Sequence, residues 1–235
     1  CFLSDFLCGR SANLGDCAQS CRWSYNLYAE EKNNPGQLMP LESDENGTSI
    51  FSSKDLCLIK EIPEIIDMGV DSLKIEGRLK TEYYVASVVN AYRTAIDDYM
   101  KDPENYDYTK YLNELEKVKT RPFTTFYFND RKNEDIQDFS GKQYNDKYEF
   151  GGKIVEAKEE KSVIEIKNKL TVGDTLEILK PGQFEPIEFK IEQLWDYETG
   201  EKIDFVSPGV KGQKVLMNIP VKCENNWIMR RKKGN

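Results

Sequence analysis

Six cysteines and no histidine stand among these 235 residues, and four of the cysteines fall within the first 21 positions. The spacing is C-x6-C-x8-C-x3-C-x35-C for Cys1, Cys8, Cys17, Cys21 and Cys57, with Cys223 alone near the end. Sulfur donors without imidazole suit iron–sulfur chemistry or an all-thiolate zinc site. Without histidine, this segment holds no nucleophile–histidine pair. The spacing does not match a zinc ribbon, which would show two close C-x2-C knuckles. Cys17 and Cys21 are near enough in sequence to reach one metal centre, with Cys1 and Cys57 brought in by folding. Buried or incidental thiols are the plain alternative, and both readings stay open on spacing alone. Cys57, between Leu56 and Leu58, reads equally as a core thiol, while Cys8 and Cys223 read as structural.

Lys74, Glu76 and Arg78 form a second group. They bracket the end of a run, Val70 to Glu76, that reads as a buried strand closed by Gly77. Alternation along a strand puts Lys74 and Glu76 on one side. At the carboxyl end of a parallel barrel strand, a lysine, a carboxylate and an arginine could bind an anion and move a proton. A salt-bridged strand end explains them as well. Arg10 and Arg22 flank the cysteine loop and either hold an anion or solvate the loop. Arg230-Arg231-Lys232-Lys233 is basic enough to touch phosphates, though a frayed, solvated terminus is the reading preferred here.

These residues must be positioned by real elements. The chain is 39% hydrophobic and 31% charged, with a net charge of −8. That balance excludes global disorder and argues against a general nucleic-acid coat. No apolar run is long enough to span a bilayer, and no signal peptide opens the chain. Cysteines clustered at one end of a chain with its own core point to a reducing cytoplasm rather than a secreted disulfide framework. Residues 1–48 read as irregular. Ser52 and Asp55 look like a cap opening a short helix that carries Cys57, and Pro63 to Met68 a second one stopped by Gly69. Glu82 to Met100 carries a helical stripe at Val85, Val88, Val89, Tyr92, Ala95, Ile96 and Tyr99. Another helix spans about Tyr108 to Val118, and Phe123 to Phe128 is a strand or a packed loop. After a polar stretch the period shifts to two, in short runs with Gly, Pro and Asp turns. The expected organisation is a partial α/β domain over 1–128, a linker or long loop over 129–147, a β-barrel or sandwich over 148–226 and a basic tail over 227–235.

The run Gly9 to Arg22, GRSANLGDCAQSCR, resembles the signature loop of the U-32 peptidases, also called collagenase-like peptidases. Ser53-Lys54-Asp55-Leu56-Cys57, then Asp71 to Arg78, then Tyr84-Val85-Ala86 and Ala91-Tyr92-Arg93 continue the likeness in order. The resemblance implies the later part of a TIM-type barrel followed by a small all-β barrel, with the upstream half of the same protein absent. It implies RNA modification in its bacterial branches: prephenate-dependent hydroxylation of the tRNA wobble uridine, or of a cytidine in ribosomal RNA. Cys21-Arg22-Trp23 and Met39 to Thr48 favour that branch. A [4Fe–4S] cluster is implied on Cys1, Cys17 and Cys57, with the remaining family ligand upstream, so that a truncated chain either lacks the cluster or recruits Cys21. Arg10, Asn13 and Arg22 are then expected to bind substrate, and Lys74, Glu76 and Arg78 to do the catalysis. A peptidase and a zinc-stabilised RNA-binding module are the rival expectations. The RNA, the electron donor and the oligomeric state are not legible.

Overall fold

A computed structural model describes residues 2–33, 35–36, 38–44, 47–49, 53–126, 128–129, 147–209 and 212–233. Most of the expected linker at 129–147 lies outside these residues, as does Cys1. The chain divides into two compact units, one made of the residues up to Ser53 and one running on from Lys54.

The first unit opens with helix α1 (Phe2–Cys8) and two single 3-10 turns, Ala12–Leu14 and Ser20–Arg22. Strands β1 (Tyr28–Glu30) and β2 (Leu38–Pro40) pair antiparallel, as do β3 (Glu42–Asp44) and β4 (Gly47–Ser49). The stretch read as irregular therefore carries a helix and two small ribbons. Their sides are short enough that no hydrophobic period emerges in the sequence.

In the second unit β5 (Asp55–Leu56) replaces the helix expected around Cys57. Helix α2 (Ile62–Asp67) starts with Pro63 in its first turn, and Gly69, at a φ of +75°, ends it in the left-handed region. Helix α3 (Glu82–Lys101) is capped by Thr81, whose Oγ1 accepts from the Tyr84 N–H at 3.2 Å. Its buried face includes Val88, Ala91 and Ala95, which pack with Ile59, Ile62, Tyr111 and Leu115 around Cys57. Val85 and Val89, expected in the same stripe, stay exposed. Helix α4 (Thr109–Leu115) follows, and β6 (Phe123–Thr124) returns to pair parallel with β5.

Residues 70–77 form no strand, and 71–74 are exposed. A strand needs a neighbour for its N–H and C=O groups. Among the described residues the parallel pairing is confined to β5 and β6, so these residues alone do not form a parallel barrel.

The remaining strands are β7 (Tyr148–Glu156), β8 (Ser162–Ile166), β9 (Leu170–Thr171), β10 (Thr175–Leu179), β11 (Ile187–Lys190), β12 (Leu194–Asp196), β13 (Lys202–Ile203), β14 (Phe205–Val206), β15 (Lys214–Met217) and β16 (Ile228–Lys232). Eight of them make one curled antiparallel sheet in the order β11-β10-β16-β7-β8-β15-β12-β13, and β9 pairs with β14. The inward residues Ile154, Ile164, Leu176, Ile178, Leu194, Val215 and Met229 are fully buried in one core. The whole is a mixed α/β structure.

The basic tail is corrected here. Arg230 and Arg231 belong to β16, between β10 and β7, and Arg230 is 0% exposed. A bulge between Met229 and Arg230 shifts the register against β7. Burial of the guanidinium is made possible by Glu114 of α4 and Glu177 of β10, which a sequence pattern cannot bring together.

Candidate functional site

In the first unit the cysteine loop is tied to α1 by Ser4. Its buried hydroxyl donates to the Arg10 carbonyl at 2.9 Å and accepts from the Ala18 N–H at 3.0 Å. Cys17 Sγ accepts the Gln19 N–H at 3.4 Å, an approach that Gln19 makes with a φ of +52°. Cys21 sits exposed in the second 3-10 turn, and Tyr25 steadies that turn by donating its hydroxyl to the Ser20 carbonyl at 2.6 Å. Cys8 is exposed at the end of α1, not packed in a core as its apolar neighbours suggested.

Arg10 reaches Asp16 through Nε at 2.9 Å and Nη2 at 2.6 Å. That hydrogen bond, with the attraction between the charges, raises the guanidinium pKa and holds the Asp16 carboxyl below the usual carboxylate range. An incoming anion at Arg10 therefore competes with a carboxylate already in place. Arg22 donates to Gln19 Oε1 at 3.5 Å, and Asn13 is exposed in the first 3-10 turn.

In the second unit, Cys57 follows β5 directly, and its N–H donates to the Thr124 carbonyl at 2.9 Å. Its side chain is buried, at 8% exposure. The Tyr92 hydroxyl lies 3.8 Å from Cys57 Sγ, as donor, while accepting the Leu58 N–H at 2.8 Å. Burial pushes the Cys57 thiol up, and burial raises the Tyr92 phenol too. The sequence placed Tyr92 in the apolar stripe and in the family likeness but gave its hydroxyl no role; a phenol on a buried face, with one polar atom to satisfy, was the available signal.

The loop before α3 places Lys74, Glu76 and Arg78 at the surface rather than on one side of a strand. Glu76 Oε1 accepts the Arg78 N–H at 2.8 Å. Gly77 lies so close to α3 that a Cβ there would meet Val85 Cγ2 at 2.7 Å. Lys80, which the sequence did not single out, approaches Asp55 Oδ2 at 3.6 Å and lies over the Tyr84 ring at 4.8 Å. Asp55 also accepts the Arg121 N–H at 3.1 Å. So the loop end gathers Asp55, Lys80 and Tyr84 beside β5, and Lys74 is not among them.

Cys8, Cys17, Cys21, Cys57 and Cys223 are free thiols. The donor chemistry fits a soft metal: Cys17 and Cys57 are sulfur donors, and each accepts a hydrogen bond at sulfur. Among the described residues, no three Cys, His, Asp or Glu side chains gather into a metal site. No helix among them is long and apolar enough to cross a membrane.

Comparison with known proteins completes this picture. The family model for peptidase family U32 matches residues 1–138, and that for the peptidase family U32 C-terminal domain matches residues 146–230. The chain is 38% identical to tRNA hydroxylation protein P1 of Bacillus subtilis over 87% of its length and 48% of that protein. It is 31% identical to tRNA hydroxylation protein P of Escherichia coli, over 97% of its length and 58% of that protein. An uncharacterized protease of Methanocaldococcus jannaschii is 40% identical over 76% of the chain and 44% of that protein. The chain thus spans about half the length of these relatives.

Proposed function

The chain belongs to peptidase family U32, and from that premise we propose that it is part of an RNA-modifying protein that hydroxylates the wobble uridine of tRNA. The reading includes prephenate as co-substrate and a [4Fe–4S] cluster on Cys1, Cys17, Cys21 and Cys57. One observation carries the tRNA-hydroxylating part of it: two proteins named for tRNA hydroxylation align with 87% and 97% of this chain.

A bound cluster supplies one-electron redox chemistry. The chain's own residues do the rest. Cys17 and Cys57 offer sulfurs that already accept hydrogen bonds. Arg10, Asn13 and Arg22 on the cysteine loop, with Lys74 and Arg78 on the loop before α3, supply groups for an anionic co-substrate. Glu76 supplies a carboxylate for proton movement, and its bond to the Arg78 N–H fixes where it points.

The peptidase reading is favoured by the archaeal relative named as a protease. With no histidine in the chain, it requires a metal site, a Ser–Lys pair or residues upstream of this segment. The zinc-stabilised RNA-binding module is separated by metal content. The full-length protein, purified without oxygen, is expected to be brown and to hold iron and sulfide, and Cys57→Ser to lose them. Nucleosides of tRNA from a deletion strain are expected to lack hydroxylated uridine and to regain it with the wild-type gene but not with Cys17→Ser or Cys57→Ser. A colourless, zinc-loaded protein, or full uridine hydroxylation in the deletion strain, would overturn the reading.

A further inference from the structure

The outer face of the curled sheet over β12, β15 and β8 gathers aromatic rings and lysines. Register pairs Trp195 with Leu216, and Leu216 with Val163, while Lys214 pairs with Glu165. Alternation then puts Trp195, Leu216 and Lys214 on one side, opposite the buried Leu194, Val215 and Met217. Tyr197, in the turn that follows β12, is 45% exposed and is brought to this side by its contact with Lys214. Lys202 of β13 stands directly opposite Trp195 in register.

Two of these rings carry lysines. Lys161 Nζ lies 4.1 Å from the centroid of the Trp195 ring, and Lys214 Nζ lies 5.5 Å from that of Tyr197. Among the described residues, Lys161, Lys202 and Lys214 have no carboxylate partner. Elsewhere in the same unit Lys153 pairs with Glu82, Arg230 with Glu114 and Glu177, and Arg231 with Glu149 and Asp174, while Lys169 and Lys180 lie over the Phe205 and Trp227 rings. The one carboxylate in register with Lys214, Glu165, is held by Lys167 at 2.9 Å. The face thus sets three lysines, none of them in an ion pair among the described residues, around the half-buried Trp195 ring and the exposed Tyr197 ring, in a chain whose net charge is −8.

We propose that this face binds unpaired RNA nucleotides, with Trp195 and Tyr197 stacking on bases and Lys161, Lys202 and Lys214 meeting the phosphates. Aromatic rings set among unpaired cations match a single strand, because every base offers a π-face and every linkage a negative charge. A duplex offers phosphates but hides its bases. The choice of RNA as partner rests on the tRNA-modifying reading; the geometry of the face does not.

The test is binding of the full chain to a fluorescent anticodon stem–loop RNA, followed by anisotropy over a range of salt. Trp195→Ala and Tyr197→Ala are each expected to weaken binding about tenfold, and Trp195→Phe to retain most of it. Changing Lys161, Lys202 and Lys214 to Gln is expected to flatten the salt dependence by about 0.7 in slope per lysine. Thermal melting shows whether the variants are folded, since Tyr197 and Lys202 are exposed but Trp195, Lys161 and Lys214 are half-buried. Undiminished binding by a folded Trp195→Ala/Tyr197→Ala protein overturns the proposal, and so does no RNA binding by the wild type at low salt. Equal competition by polyglutamate overturns it too, because that would mark an acidic-peptide site. Uridine hydroxylation in cells is read separately. RNA bound through this face by a protein whose deletion leaves hydroxylation intact upholds the face and removes only the hydroxylation reading.

Discussion

Tyr92 does two jobs with one hydroxyl, accepting from the Leu58 amide and donating toward the Cys57 sulfur. Removing it strands a partly buried N–H that water cannot easily reach. Tyr92→Phe is therefore expected to destabilise the chain by about 1–3 kcal/mol in urea denaturation. An unchanged midpoint would show that the amide finds another partner. The sequence made Cys57 legible as either a ligand or a core thiol, and the structure shows why both readings arise: the thiol is buried among apolar side chains yet carries a polar contact. What the sequence could not show is that the polar contact comes from a helix 35 residues away. Lys74, Glu76 and Arg78 have the opposite history. Their types were legible and their arrangement was not, because alternation predicts facing only when a strand exists.

At the scale of elements, α3 is held at its start by charge as well as by its Thr81 cap. Glu82 pairs with Lys153 at 2.7 Å and with Lys167 at 3.5 Å, joining the first turn to β7 and the end of β8. The Lys153 hydrogen bond is the main cause that holds the Glu82 carboxyl below its ordinary value. Since the folded pKa lies below the unfolded one, the contribution is complete above the unfolded value. It disappears as pH falls through the folded value. Glu82 is half exposed, so the effect is that of a surface pair, below about 1 kcal/mol. Melting temperature followed from pH 7 to pH 3 should fall more steeply for the wild type than for Glu82→Gln, the two curves converging in acid. Parallel curves would show that the pair contributes nothing. The long helix was legible because seven apolar positions repeat at helical spacing. The short β5 was not, since two residues carry no period and their pairing with β6 is settled by the chain returning 68 positions later.

On the scale of the molecule, one buried arginine fastens the helical layer to the sheet. Arg230 bonds Glu177 through Nε at 2.7 Å, and its Nη atoms reach Glu114 of α4. The Tyr148 ring lies 4.9 Å from the guanidinium carbon. Burial works against the charged guanidinium, but the Glu114 hydrogen bond and charge outweigh it and raise its pKa. The same burial lifts the neighbouring Tyr83 phenol to about 12. Arg230→Met leaves two carboxylates without their cation and is expected to cost about 3–5 kcal/mol in denaturant unfolding. Combining it with Glu114→Leu and Glu177→Leu should restore most of that loss. If the single variant is as stable as the wild type, the arginine does not fasten these layers. If the triple variant is no better than the single one, the geometry rather than the charge is what the site requires.

The sequence by itself determined the family, the α3 helix, the antiparallel alternation after residue 147 and the concentration of thiols at one end. These are local properties, written in motifs, periods of 3.6 and 2, and composition. Tertiary structure alone decided that a run of four basic residues begins inside a sheet, that residues 70–77 stay out of one, and that Trp195, Tyr197 and three lysines share an outer face. Each depends on which distant groups arrive as partners. A guanidinium is buried only where carboxylates meet it, and an extended run is a strand only where another lies beside it.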